Sequence, residues 1–195
     1  MKHLFYIITF MNRNKIKLIT EVSIFSAIII ILQLIATFIN FGSFPITLTL
    51  IPIIVGGAVY GPLVGMILGL VFGLIVDVMV ITGADPTGAV MLASHPIITL
   101  STCLIKGALA GLLSALAYKY LKIKNSKLRI VIAAAICPIA NTFTFFISLI
   151  LFFDSSITVL ISTILSVNFV IELLINMLIA PGLTTLIEHN RHEQI

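Results

Sequence analysis

Six apolar segments, separated by breaks rich in glycine, proline and polar residues, fill almost the whole chain, and this succession constrains the fold more than any other feature. They run from about Ile16 to Ile39, Ile46 to Val59, Pro62 to Ile81, Pro96 to Leu121, Leu128 to Phe153 and Ile157 to Ile187. A helix crosses the hydrocarbon core of a bilayer with about 20 apolar residues. The second segment is short for this, and the sixth is long enough to tilt or to continue into the cytoplasm. Charged residues make up 9% of the chain, against about 25% in soluble domains. So few charges cannot build a surface that hides these segments from water, so the apolar faces meet lipid. The expected fold is an all-α membrane protein of six transmembrane helices. Residues 16–187 form its single domain, residues 1–15 a cytoplasmic or interfacial segment, and residues 188–195 a cytoplasmic tail.

The breaks carry turn chemistry. Asn40-Phe41-Gly42-Ser43-Phe44-Pro45 separates spans one and two, and Tyr60-Gly61-Pro62 is a tight turn between two and three. A longer loop is expected from Ile81 through Gly83, Asp85, Pro86 and Gly88 to Ser94-His95-Pro96. Lys122–Lys127 joins spans four and five, and Asp154-Ser155-Ser156 joins five and six. Lys2, Arg13, Lys15 and Lys17 precede span one; Lys119, Lys122, Lys124, Lys127 and Arg129 surround the four–five loop; Arg191 follows span six. With six spans these three places share one side, which the excess of lysine and arginine makes cytoplasmic. Ten of the eleven basic residues obey this rule, and both termini are placed inside. The opposite side receives Asp77, Asp85 and Asp154.

The run Leu4–Met11 is too short to span and has no small-residue cleavage site, so it does not read as a secretory signal. Met11-Asn12-Arg13-Asn14-Lys15 reads as a start followed by a basic flank, so Met11 is the expected initiator unless residues 1–10 lie in the interface. Cys103 and Cys137 fall inside apolar segments without metal-ligand spacing and read as small buried side chains. The net charge of +4 comes without a basic run interleaved with aromatic residues, so no nucleic-acid partner is expected.

Catalytic signatures are missing from the sequence. It has no GxxxxGK[ST] phosphate loop, no HExxH and no GxSxG, and no carboxylate pair at metal-ligand spacing. Neither a metal nor a cofactor is expected. The polar residues inside the spans are then the functional candidates, since each is costly in lipid and needs a cavity or a partner. Lys106 stands out. It lies about ten residues into span four, roughly 15 Å deep at 1.5 Å per residue, and is the one basic residue off the cytoplasmic side. It meets either an anionic group of a ligand or the carboxylate of Glu172 at similar depth in span six. Asn141, Thr142 and Thr144 in span five form a second polar group with Asn168, Glu172 and Asn176, which recur every four residues along span six. That stripe fits a ligand cavity or interhelical hydrogen bonds. Asp77, Asp85, Thr87 and His95 are expected in solvent at the outer ends of spans three and four.

Small residues make smooth faces. Gly61, Gly65, Gly69 and Gly73 share one face of span three, and Gly107 and Gly111 repeat the spacing in span four. Such faces let backbones approach closely, within the chain or against a partner. Ser23 and Ala27 form a similar pair in span one.

The run from Pro52 to Gly73, with its Tyr60-Gly61-Pro62 turn and Gly65, resembles spans two and three of the substrate-binding S components of energy-coupling factor vitamin transporters, and Lys106-Gly107-Ala108-Leu109-Ala110-Gly111 is similar to their fourth span. Chain length, span number and termini agree over most of the chain. The resemblance implies a bacterial or archaeal cytoplasmic membrane, and a vitamin bound from outside by the loop after span one and the outer halves of spans four to six. It thereby makes Asn40, Phe41, Lys106, Asn141, Thr142, Phe145, Asn168 and Glu172 the expected substrate-binding residues. It also implies docking to a transmembrane T subunit driven by two cytoplasmic ATPases, so no ATP hydrolysis is expected in this chain. Where the family has an alanine-xxx-alanine pair in span one facing that subunit, this sequence has Ser23 with Ala27, and Gly65 and Gly69 would smooth a sliding surface. One intramembrane lysine, able to pair a carboxylate, points to the pantothenate type, with riboflavin, pyridoxine, hydroxymethylpyrimidine and folate as the alternatives. The other reading is a stand-alone ion-coupled transporter, with Glu172 or Asp77 as coupling carboxylate.

Overall fold

The computed structural model describes residues 2–38, 40–41, 44–45, 48–153 and 155–192, with side chains for 15–36, 48–153 and 169–189. Seven helices and one short hairpin follow in order: α1 Lys2–Phe38, β1 Asn40–Phe41, β2 Phe44–Pro45, α2 Leu50–Tyr60, α3 Pro62–Thr82, α4 Pro86–Ser94, α5 Pro96–Tyr120, α6 Ser126–Phe152 and α7 Ser155–His192. Among the described residues five helical stretches are long and apolar enough to cross a membrane: Lys15–Ala36, Pro62–Thr82, Pro96–Tyr120, Ser126–Phe152 and Phe169–His189. With the shorter α2 they make a multi-pass all-α membrane protein. α1 starts at Lys2, so the segment ahead of span one continues its helix.

α2 has 11 residues, about 16 Å of helix at 1.5 Å per residue, too little for the bilayer core alone. Its outer end follows the β1–β2 hairpin, where Asn40 pairs with Pro45 and Phe41 with Phe44. Leu50 to Gly57 are all buried, so this short helix is wrapped by protein rather than by lipid. It stops at Gly61, whose φ of 100° is open to glycine; Pro62 then starts α3 with φ already suited to a helix.

α3 and α5 form the centre. A Cβ on Gly65 would lie 2.5 Å from the carbonyl oxygen of Gly111, one on Gly73 would lie 2.6 Å from that of Cys103, and one on Gly69 would collide with that of Gly107. The glycine face therefore packs one backbone on another inside the chain. Gly65 and Gly69 are buried there, which corrects their expected place on a partner-docking face.

The connection expected as a loop holds α4. Asp85 caps it, accepting from the backbone N–H groups of Thr87 and Gly88 at 3.1 Å each, and Pro86 occupies the first turn. α6 begins one turn earlier than the apolar pattern suggests, because Asn125 accepts from the N–H groups of Lys127 (3.0 Å) and Leu128 (3.4 Å). At the inner end the Tyr118 hydroxyl donates to Glu188 Oε1 at 2.7 Å, and the Arg129 guanidinium lies 4.6 Å from the centre of the Tyr118 ring. α5, α6 and α7 are thereby tied together where the chain meets the cytoplasm. Large apolar side chains such as Ile97, Ile150 and Leu178 are exposed on the outside of the bundle, where lipid covers them.

Candidate ligand site in the outer half of the bundle

Lys106 is the eleventh residue of α5 counted from Pro96, the helix's outer end. It is half-buried, and its ammonium lies 4.7 Å from the centre of the Phe145 ring on α6. A ring face offers negative charge density, so this contact holds a desolvated cation where few anions are at hand. Phe145 is held in turn by a small apolar cluster of Met91, Leu149 and Phe153, with Ile98 against it. One turn further out, Thr102 donates to the Ile98 carbonyl at 2.7 Å and its oxygen lies 2.6 Å from Ser148 Oγ. Since the Thr102 proton is used on Ile98, Ser148 is the donor in that α5–α6 bond. These contacts fix the helices on either side of the lysine.

The carboxylate on which the Lys106 charge acts is Asp77. This corrects the placement of Asp77 in outer solvent: α3 runs on to Thr82, so Asp77 stands more than a turn inside it, only 8% exposed. Its carboxyl is hydrogen-bonded to the Cys103 thiol on α5, and its Oδ1 is buried with no partner. Glu172 is half-buried on α7, and its charge acts on Cys137 of α6.

The α6–α7 side holds further unmatched acceptors. Asn176 is 0% exposed; its Nδ2 donates to the Glu172 carbonyl at 2.6 Å, and its Oδ1 has no partner. Asn141 Oδ1 is likewise buried without a partner. Thr142 is buried, whereas Thr144 spends its hydroxyl on its own helix, on the Ala140 carbonyl at 2.8 Å. Orphan amide oxygens inside a bundle are places where a donor from a bound molecule or a water fits. Asn40 and Phe41 lie in β1 at the outer side, with their side chains outside the described residues, as is the side chain of Asn168. Asp85 is taken up in capping α4, Thr87 is half-buried, and exposed His95 sets its ring edge-on to Phe153 at 5.3 Å.

Sequence reasoning passed over one polar link. The Thr49 hydroxyl donates to Gln33 Oε1 at 2.8 Å, and Gln33 Nε2 contacts the Met79 sulfur at 3.6 Å. This buried bond joins the outer parts of α1, α2 and α3. Gln33 interrupts an otherwise apolar span, and that was the available signal. Among the described residues no three His, Cys, Asp or Glu side chains gather as a metal ion would need.

On the bundle's flank, α1 turns Phe25, Ile29, Gln33 and Ala36 inward and leaves Ser23 and Ala27 exposed. The Ser23 hydroxyl donates to the Ile19 carbonyl at 2.8 Å, so the serine presents little unsatisfied polarity. That leaves a small, smooth, outward-facing patch on this helix.

A family model described as "ECF transporter, substrate-specific component" matches residues 17–184. No curated protein matches the chain with significance.

Proposed function

The chain belongs to the substrate-specific components of ECF transporters, and from that premise we propose that it captures a small carboxylate-bearing vitamin, pantothenate above the others, at Lys106. The observation that supports this is the position of the ammonium. It is half-buried in the outer part of α5 and held against the Phe145 ring. A cation so placed has lost part of its hydration and gains most from an anion arriving from outside. Asn141 and Thr142 on α6, Glu172 on α7, Asn40 and Phe41 in the hairpin, and Asn168 on α7 are proposed to complete the contacts, matching the amide and hydroxyl groups of such a ligand.

Membership in the family makes the chain a transporter subunit in a cell membrane rather than an enzyme. The proposal extends to its assembly: a transmembrane T subunit and two cytoplasmic ATPases in a bacterial or archaeal cytoplasmic membrane. Ser23 and Ala27 are proposed to meet the T subunit. The sequence contains no phosphate loop of its own, in keeping with ATP hydrolysis in partner subunits.

Titration of the purified chain with pantothenate, riboflavin, pyridoxine, hydroxymethylpyrimidine and folate tests the substrate. The expected result is tight binding of pantothenate, weakened about 10- to 150-fold in Lys106→Gln, the range for losing a hydrogen bond to a charged group. Binding of a different vitamin would replace the substrate and keep the function. A chain that binds none of them, alone or in the assembled transporter, would overturn both.

A further inference from the structure

The structure leaves one acid that capture of a ligand does not use. Asp77 is 8% exposed in the middle of the bundle, and its described partners are one thiol, Cys103, and one cation at a distance, Lys106. Its Oδ1 receives no hydrogen bond. The helices packed against α3 are α1, α2, α4 and α5. α5 brings Cys103 and Lys106. α4 begins at Asp85, whose carboxylate is engaged with the Thr87 and Gly88 N–H groups, and ends at His95, whose ring is turned to Phe153. The outer parts of α1 and α2 bring Gln33 and Thr49, which do not titrate. Glu21 and Tyr60 belong to the inner ends of these helices. Lys106 is therefore the cation that compensates Asp77.

Lys106 also touches α6, with its ammonium over Phe145. One positive charge thus stands between a fixed acid on α3 and the side from which an anion would arrive. A carboxylate buried with a single weak donor does not stay ionised once its counter-ion is claimed, because leaving such a charge uncompensated costs more than binding a proton near neutral pH.

We infer that Asp77 is a proton-binding site linked to Lys106: ionised while the ammonium faces it, and protonated from solvent when an anionic ligand takes that ammonium. The step is R–COO⁻ plus H⁺ giving R–COOH at Asp77, with no other bond made or broken. An acid ligand is then bound together with a proton, and the bundle's interior carries the same net charge before and after. The ligand half of this inference rests on Lys106 as the anion's partner; the link between Lys106 and Asp77 does not.

Two measurements on the full chain in nanodiscs separate these halves. Infrared difference spectra without ligand compare wild type with Asp77→Asn, and Lys106→Met with the Lys106→Met, Asp77→Asn double variant. A protonated-carboxyl C=O band belonging to Asp77 is expected in the Lys106→Met pair and not in the wild-type pair; Lys106→Gln substitutes for Lys106→Met if the latter accumulates poorly. A band already present in wild type, or none on removing the lysine charge, overturns the inference. Calorimetry with pantothenate in buffers of different ionisation heat then reads uptake of up to about one proton per ligand at neutral pH, with affinity falling by up to about tenfold per pH unit above it. Asp77→Asn is expected to bind without uptake and with a flat pH profile. Equal heats in all buffers with intact binding refute the coupling, whereas absence of pantothenate binding refutes the substrate assignment and leaves the infrared result to decide for Asp77.

Discussion

Replacing Gly69 by alanine is the sharpest test of the idea that the span-three glycines serve internal packing. An ideal Cβ at this position collides with the Gly107 carbonyl oxygen, lies 2.7 Å from its carbon and 3.2 Å from the Ala108 nitrogen. All three are backbone atoms of α5, so no side-chain rotation relieves the clash. Ordinary contact distances of about 3.5 Å between heavy atoms require α3 and α5 to part by about 1 Å or more here. Overpacking of this kind costs about 1–3 kcal/mol, and the upper end fits a rigid backbone neighbour. The gain in helix propensity, about 1 kcal/mol for glycine to alanine, works against it, leaving a net loss of about 1–2 kcal/mol. Gly182→Ala is the control, because nothing lies within 4 Å of a Cβ there; it should be neutral or slightly stabilising. The assay is thermal unfolding of both variants in one detergent, followed by cysteine-reactive dye or by light scattering. Gly69→Ala should melt several degrees below Gly182→Ala, while Gly69→Leu should fail to accumulate. A Gly69→Ala protein that melts with the control and assembles poorly with its transporter would refute the reasoning and return this face to a partner.

Three further outcomes follow from the same coordinates. Ala27→Leu changes an exposed position on α1, so ligand binding and melting should stay at wild-type values while uptake by the assembled transporter is lost; an equal fall in binding would make this site ordinary packing. Tyr118→Phe removes the donor to Glu188 at the inner end, a part-buried bond to a charged acceptor worth about 1.5–3 kcal/mol, and should lower the melting temperature with little change in ligand affinity; unchanged melting would show that the bond contributes nothing net. Thr49→Val removes the hydroxyl from Gln33 and strands a buried amide oxygen, so a loss of about 1–3 kcal/mol is expected; Thr49→Ser, which keeps the donor, should recover most of it, and failure to do so would assign the effect to packing.

How much of this could be read from the chain depends on which physical effect sets each feature. Span number, topology and the cytoplasmic side follow from hydrophobicity and from lysine and arginine placement, both of which act one residue at a time and are visible in one dimension. α4 was missed because Pro86 and Gly88 were taken as loop formers, although Asp85 followed by proline is also a helix start. The stronger signal lay in the cap and not in the composition. Asp77 was misplaced for a related reason: the apolar run ends near Ile81, and a carboxylate close to its end looks wet unless the helix is known to continue to Thr82.

The site itself is less legible, because it depends on which residues meet across helices. Lys106 was visible as a charge in the wrong place, but nothing in the sequence says that it addresses Asp77 on α3 while resting on Phe145 of α6. That arrangement follows from the glycines. Because Gly65, Gly69 and Gly73 bring α3 against the α5 backbone, an acid one turn beyond Gly73 comes within hydrogen-bonding reach of Cys103. With larger side chains on that face the helices would stand apart, and Asp77 and Lys106 would each need a partner of its own. The close approach that holds the bundle together is thus what places one lysine between a fixed acid and an incoming anion. Any substitution that opens the α3–α5 seam should therefore disturb ligand binding and its pH dependence together, even when it lies well inward of both charges.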